Sequence, residues 1–269
     1  MSDPGGAPVV GFRGSARAET TDRIAIEEPL EIQVQGASVA VLMRTPGDDL
    51  DLARGFLLTE GIVSSAADIA SMRHCSSVKD PDAEENILRV VLREGVEVPL
   101  SLLRRNTFAS SSCGLCGKAT IASTLVRAAP IPLDRGSVSL GVLYGLPDKL
   151  RAAQRAFDAT GGVHGAALFE PDGALTVLRE DVGRHNAVDK VIGHRATARA
   201  SGEEILLVSG RTSFEITQKA AVAGIPIVVG ISAPTTLAVA FADAAGVTLA
   251  GFLRGETVNA YTHAHRLVP

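Results

Sequence analysis

The chain is poor in cysteine, with three in 269 residues: Cys75 stands alone, and Cys113 and Cys116 lie close together. That excludes a disulfide-stapled secreted scaffold, and a chain this long has core enough to fold without staples. A strong charge of either sign is also missing. The formal net charge is -4 and the basic residues are scattered, so no basic stripe points to DNA or RNA, although a nucleotide-sized anion is compatible. Nor is there an unbroken membrane span, because Pro226, Pro234 and Asp243 interrupt the apolar stretch 221–252. The opening "MSDPGGAPVVGFRG" has no basic start leading into an apolar run, so no export signal is expected. These absences together point to a reducing cytoplasm.

What the chain does have is periodicity. Residues 1–24 mix glycine, proline and charge without a repeat, and a loose surface segment is expected there. Residues 25–105 predict a smaller β-rich domain with one helix. Two β-rich runs flank Gly36 as a hairpin, and "PGDDLDLARGFLLTEG" follows as a helix with Asp48 and Asp49 in its first turn and Gly61 at its end. "ILRVVLRE" then reads as a strand. Residues 106–269 predict the larger α/β domain. It starts with the cysteine loop, a helix over "KATIASTLVRAA" and a second helix at about 147–159. A hairpin through the "PDG" turn comes next, and then three helices alternate with apolar strands. Such alternation predicts an α/β fold with a largely parallel sheet covered on both faces.

The chemistry concentrates in a few stretches. In "ASSSCGLCGK" the pair Cys113 and Cys116 precedes a predicted helix, whose free N–H groups, with Lys118 nearby, favour a thiolate. A C-x-x-C pair can ligate a metal, form a redox disulfide or carry sulfur. Two buried small hydrophobes would not call for Ser110, Ser111 and Ser112 alongside. Zinc is the main competitor, yet the H-x-E that accompanies P-C-x-x-C in nucleotide deaminases is absent, and His74 with Cys75 makes a poor chelate, so no metal site is expected.

"REDVGRHNAVDKVIG" gathers Asp181, Arg184 and His185 around Gly183 at the end of a strand, where a polar ligand could be gripped; part of it also reads as a capping box from Asn186 to Asp189. In "LLVSGRTSFEI" a buried strand ends at Ser209 and Gly210, and a helix starts near Ser213. Arg211 stands at this junction, with Thr212 and Glu215 forming a second capping pattern. "VVGISAPTT" repeats the junction around Ser232. Parallel strands would open both loops at one sheet edge, the expected pocket.

With "TPGDDLDLARGFLLTEGIV", "SSSCGLCGK", "REDVGRHNAVDKVIG" and the run from "SGRTSFEITQKAAVAGIPIVVGISAPT" to "NAYTH", the sequence resembles the formate dehydrogenase accessory sulfurtransferase (FdhD) family over most of its length. The resemblance implies a cytidine-deaminase-like core. It implies a sulfur carrier, required for formate dehydrogenase activity, that accepts persulfide sulfur from a cysteine desulfurase. The sulfur would pass to the molybdenum cofactor, bis-molybdopterin guanine dinucleotide, held transiently before insertion into formate dehydrogenase. Cys113 and Cys116 match the family's cysteine pair, and Phe252, Leu253, Arg254, Gly255, Glu256 and Thr257 match its guanine dinucleotide segment. A homodimer is expected. The competing readings are a zinc-dependent deaminase-like hydrolase and a non-catalytic cofactor chaperone.

Overall fold

A computed structural model describes residues 5–75, 85–96 and 128–269. β1 (Gly5–Arg13) and β2 (Ala16–Ile24) pair antiparallel as a ribbon exposed along almost its whole length. Where a loose segment is expected, residues 5–24 therefore form a hairpin. Ladder hydrogen bonds hold it rather than burial, and so no hydrophobic period marks it in the sequence.

The next unit is a sheet of β3 (Glu28–Val34), β4 (Ala37–Arg44), β5 (Ile69–His74) and β6 (Ile87–Leu92), in the order β4-β3-β6-β5, with α1 (Asp49–Thr59) on one face. Alternate residues point inward: Leu30, Ile32 and Val34 on β3, and Leu88, Val90 and Leu92 on β6. They meet Leu52, Ala53, Phe56 and Leu57 of α1. α1 stops where Gly61 takes a φ of 68° and the Ile62 N–H returns to the Leu57 carbonyl at 2.8 Å.

From residue 138 the order is β7 (Val138–Ser139), α2 (Leu140–Ala153), α3 (Arg155–Thr160), β8 (His164–Phe169), β9 (Leu175–Asp181), α4 (Arg184–Arg195), β10 (Ile205–Val208), α5 (Phe214–Val222), β11 (Ile227–Gly230), α6 (Thr236–Ala245), β12 (Thr248–Arg254), β13 (Thr257–Ala260) and β14 (Leu267–Val268). The single helix expected near 147–159 is two. Ser139 caps α2 by accepting from the Val142 N–H, Pro147 lies inside it, and the chain breaks at Gln154 before α3.

The main sheet runs β13-β12-β11-β10-β8-β9. Its centre, β10, β11 and β12, is parallel, but β8 is antiparallel to β10, β9 to β8 and β13 to β12. The sheet is thus mixed where a largely parallel one is expected. β8–β9 and β12–β13 are joined by short turns, which only antiparallel neighbours allow. Leu206, Val208, Val228 and Leu249 face α4, α5 and α6, while Ile205, Leu207, Ile227 and Val229 face α2. Burial on both faces explains the unbroken apolar runs of the central strands. Among the described residues no helix is long and apolar enough to cross a membrane.

α1 and α4 join the two units at backbone contact distance. A Cβ on Gly55 would lie 1.8 Å from the Asp189 carbonyl oxygen, and one on Gly193 1.9 Å from that of Asp51. Beside this seam Lys219 on α5 donates to both Asp189 oxygens, at 3.0 and 2.8 Å, and to Thr59 Oγ1 at 2.9 Å.

Candidate functional site

Because β10, β11 and β12 run one way and β8 the other, the ends of the first three and the start of the fourth share one edge. Helices α4, α5 and α6 begin there. Hydrogen bonds tie the edge into a continuous rim. Ser209 N–H donates to the Gly165 carbonyl at 2.9 Å and Ser209 Oγ accepts from Gly165 N–H at 3.0 Å. Thr212 N–H donates to Ala233 and Thr235 N–H to Thr212, while Phe252 N–H reaches the Ser232 carbonyl at 3.2 Å. The structure therefore brings Ser209, Gly210, Arg211, Ser213, Ser232 and Phe252 together.

Arg184 and His185 join from the first turn of α4. His185 Nε2 lies 3.2 Å from Ser213 Oγ and 2.9 Å from Glu215 Oε2, which spans the first turns of α4 and α5. Phe252 sits at φ 56° and is 40% exposed, so the bulged end of β12 turns its ring outward beside Ser232. Arg254, Gly255, Glu256 and Thr257 form the exposed turn into β13, closed by Thr257 Oγ1 donating to the Arg254 carbonyl at 2.8 Å.

Two expected residues face inward instead. Leu253 is buried in the core under α2. Asp181 is fully buried: Oδ1 accepts from Gly183 N–H and Asn186 Nδ2, and Oδ2 accepts from Thr45 N–H and pairs with Lys190 Nζ at 2.8 Å. Burial pushes its carboxyl up, against the pull of Lys190. Its oxygens bind the 45-loop to the sheet edge and leave nothing for a ligand. Asn186, expected as a cap, also donates to the Met43 carbonyl, and Asp189 is taken by Lys219, so that capping box does not form. Cys113 and Cys116, with the helix expected after them, lie outside the described residues.

Neither α4, which begins after Gly183, nor α5, which begins after Ser213, has a side-chain cap. α6 does, through Thr235 Oγ1, which accepts from Ala238 N–H. Two helix starts thus keep free N–H groups at the edge, as an anion would require. Thr212 is fully buried and its Oγ1 is without a partner, as is the buried Nε of Arg184. The sequence reading missed His164. A histidine opening an apolar strand was the available signal, and pairing with Asp181 across the sheet places it on the rim. Burial first, then the neighbouring Arg184 and His185, hold its imidazole below the usual histidine value. Among the described residues no group of three or more His, Cys, Asp or Glu is placed to hold a metal.

Fold and rim together define an α/β protein with a sheet edge suited to a polar, anionic ligand. The FdhD/NarQ family profile matches residues 25–268, and the chain belongs to that family. It is 49% identical to a protein named sulfur carrier protein FdhD from Mycolicibacterium paratuberculosis, over 94% of this chain and 93% of that one. A protein of the same name from Mycobacterium tuberculosis is 48% identical, over 91% and 92%. The fold also matches the crystal structure of a proposed formate dehydrogenase accessory protein from Desulfotalea psychrophila. That match has a TM-score of 0.81 and 25% identity, and covers 99% of this chain and 100% of that one.

Proposed function

We propose that the chain is a cytoplasmic sulfur carrier serving formate dehydrogenase. It takes persulfide sulfur from a cysteine desulfurase onto Cys113 or Cys116 and passes it to the molybdenum cofactor, its substrate. The observation that carries this reading is the C-x-x-C pair in a chain that matches sulfur carrier proteins along nearly its full length. Loading is a thiol exchange: the thiolate attacks the outer sulfur of the donor persulfide, a bond to that sulfur forms, and the donor leaves as a thiolate. In release, the second thiol attacks the inner sulfur. A disulfide forms, hydrosulfide departs, and a cellular thiol reductant resets the pair.

The rim supports the cofactor half of the reading. Uncapped helix starts, with Arg184 and Arg211 beside them, suit the phosphates of a guanine dinucleotide, and Phe252 offers a ring face for its base. A mixed sheet with three central parallel strands and helices on both faces supports the cytidine-deaminase-like core.

The test is mass spectrometry after incubation with a desulfurase and cysteine. The expected result is the added mass of one sulfur atom on the 113–116 peptide, lost in Cys113→Ser/Cys116→Ser. No gain would favour a chaperone without sulfur chemistry, and sulfur on Cys75 alone would overturn the assignment.

A further inference from the structure

His164 opens β8 at the sheet edge, half-buried, and among the described residues its ring nitrogens have no hydrogen-bond partner. Arg184 stands beside it, its Nε buried and without a hydrogen-bond partner. Between them Gly210 has no side chain: a Cβ there would come within 3.3 Å of His164 Nδ1 and 4.0 Å of Arg184 Cδ. A glycine here keeps open the space in front of both basic groups. The carboxylates nearby are committed elsewhere, Asp181 to Lys190, Asn186 and the 45-loop, and Glu215 to His185. A buried guanidinium nitrogen without an acceptor is costly unless a ligand supplies one. Two basic side chains around a gap, with no uncommitted carboxylate beside them among the described residues, set the sign of that ligand.

We propose that His164 and Arg184, across the gap left by Gly210, form a seat for a phosphate group. This rests on the reading above and makes it more specific, since it sets the phosphate contact on the β8 side of the rim rather than at the exposed Arg211. The chemistry is shared by two sources, the diphosphate of a guanine nucleotide and free inorganic phosphate or pyrophosphate. Arg184 donates charge-assisted hydrogen bonds to the anion. Burial first, then the neighbouring Arg184 and His185, lower the pKa of His164, with buried Asp181 the opposing influence. A bound anion reverses that balance and favours the imidazolium, so the ring takes up a proton as the ligand arrives and affinity rises as pH falls through the histidine range.

The test is calorimetry of GDP, guanosine and pyrophosphate binding to the full chain, each in two buffers of different ionisation heat. The expected result is that GDP and pyrophosphate bind with proton uptake while guanosine, lacking phosphate, binds far more weakly. GDP binding weakens about tenfold or more in Arg184→Gln. In His164→Gln the proton uptake disappears. GDP binding alone, with pyrophosphate inert, would still support the seat and assign it to the nucleotide, whereas pyrophosphate alone would assign it to the free anion. Equal affinity for GDP and guanosine, or uptake unchanged in His164→Gln, would overturn the proposal. The wild-type measurement in two buffers stands even if a variant folds poorly. Persulfide loading of the wild-type chain reports separately on the sulfur-carrier reading, so either can fail without the other.

Discussion

Gly55→Ala and Gly193→Ala each lower the stability of the chain by about 3 kcal/mol or more, at or beyond the upper end of ordinary overpacking, read as a fall in the urea midpoint. The added methyl group meets backbone in both cases. For Gly55 the Asp189 carbonyl oxygen would be 1.8 Å away, and its carbon 2.6 Å. For Gly193 the neighbours are the Asp51 oxygen at 1.9 Å and the Gly55 nitrogen at 2.8 Å. No rotamer change relieves such a clash, so α1 and α4 must move apart and loosen both hydrophobic clusters they belong to. Gly145→Ala in α2 is the control. Nothing lies within 4 Å of its added Cβ, and a helical glycine replaced by alanine gains about 0.5–1 kcal/mol. A midpoint for Gly55→Ala equal to wild type would mean that the helices do not touch in solution.

Lys219→Met is the second large effect. Lys219 and Asp189 are both buried and joined by two short bonds, so removing the ammonium strands a carboxylate in the core at a loss of about 3–5 kcal/mol. Replacing both, as Asp189→Leu/Lys219→Met, removes the stranded charge and recovers most of that loss. Burial opposes the Lys219 charge, but Asp189 and Glu60 outweigh it and raise its pKa above the ordinary lysine value. The sign follows: the stability contributed by Lys219 is fully present below the ordinary value and fades as pH rises through the raised one. Wild type therefore loses its advantage over the double variant only in strong alkali. Urea titrations of the three proteins at neutral and alkaline pH check this, and a single variant as stable as wild type would show the pair to be dispensable.

Much of the C-terminal architecture was legible because its signals are local. Continuous apolar strands such as 205–208 and 227–230, separated by helices with periodic faces, admit few other arrangements. Strand direction was less legible, since β8 pairs with β10 across the whole of β9 and α4, and no residue pattern marks that choice. The β1–β2 ribbon escaped because it buries almost nothing. At the site, serines and glycines at strand ends were readable as junctions. Asp181 was read as part of a ligand grip because a carboxylate at a strand end looks alike whether it meets a ligand or a buried lysine, and one partner that holds it inward, Thr45, is 136 residues away. His164 escaped because no neighbour in sequence advertises it.

The α1–α4 seam also sets an order of events during synthesis. Thr59 meets Asp189 across 130 residues and Lys219 across 160. While a ribosome is making the chain, α1 can cover the first sheet, but its other face has no partner until α4 and then α5 emerge. Contacts this distant in sequence are slow to form, and the surface awaiting them is open to wrong partners in the meantime. The nascent N-terminal half is therefore the form of this protein with most need of a folding chaperone.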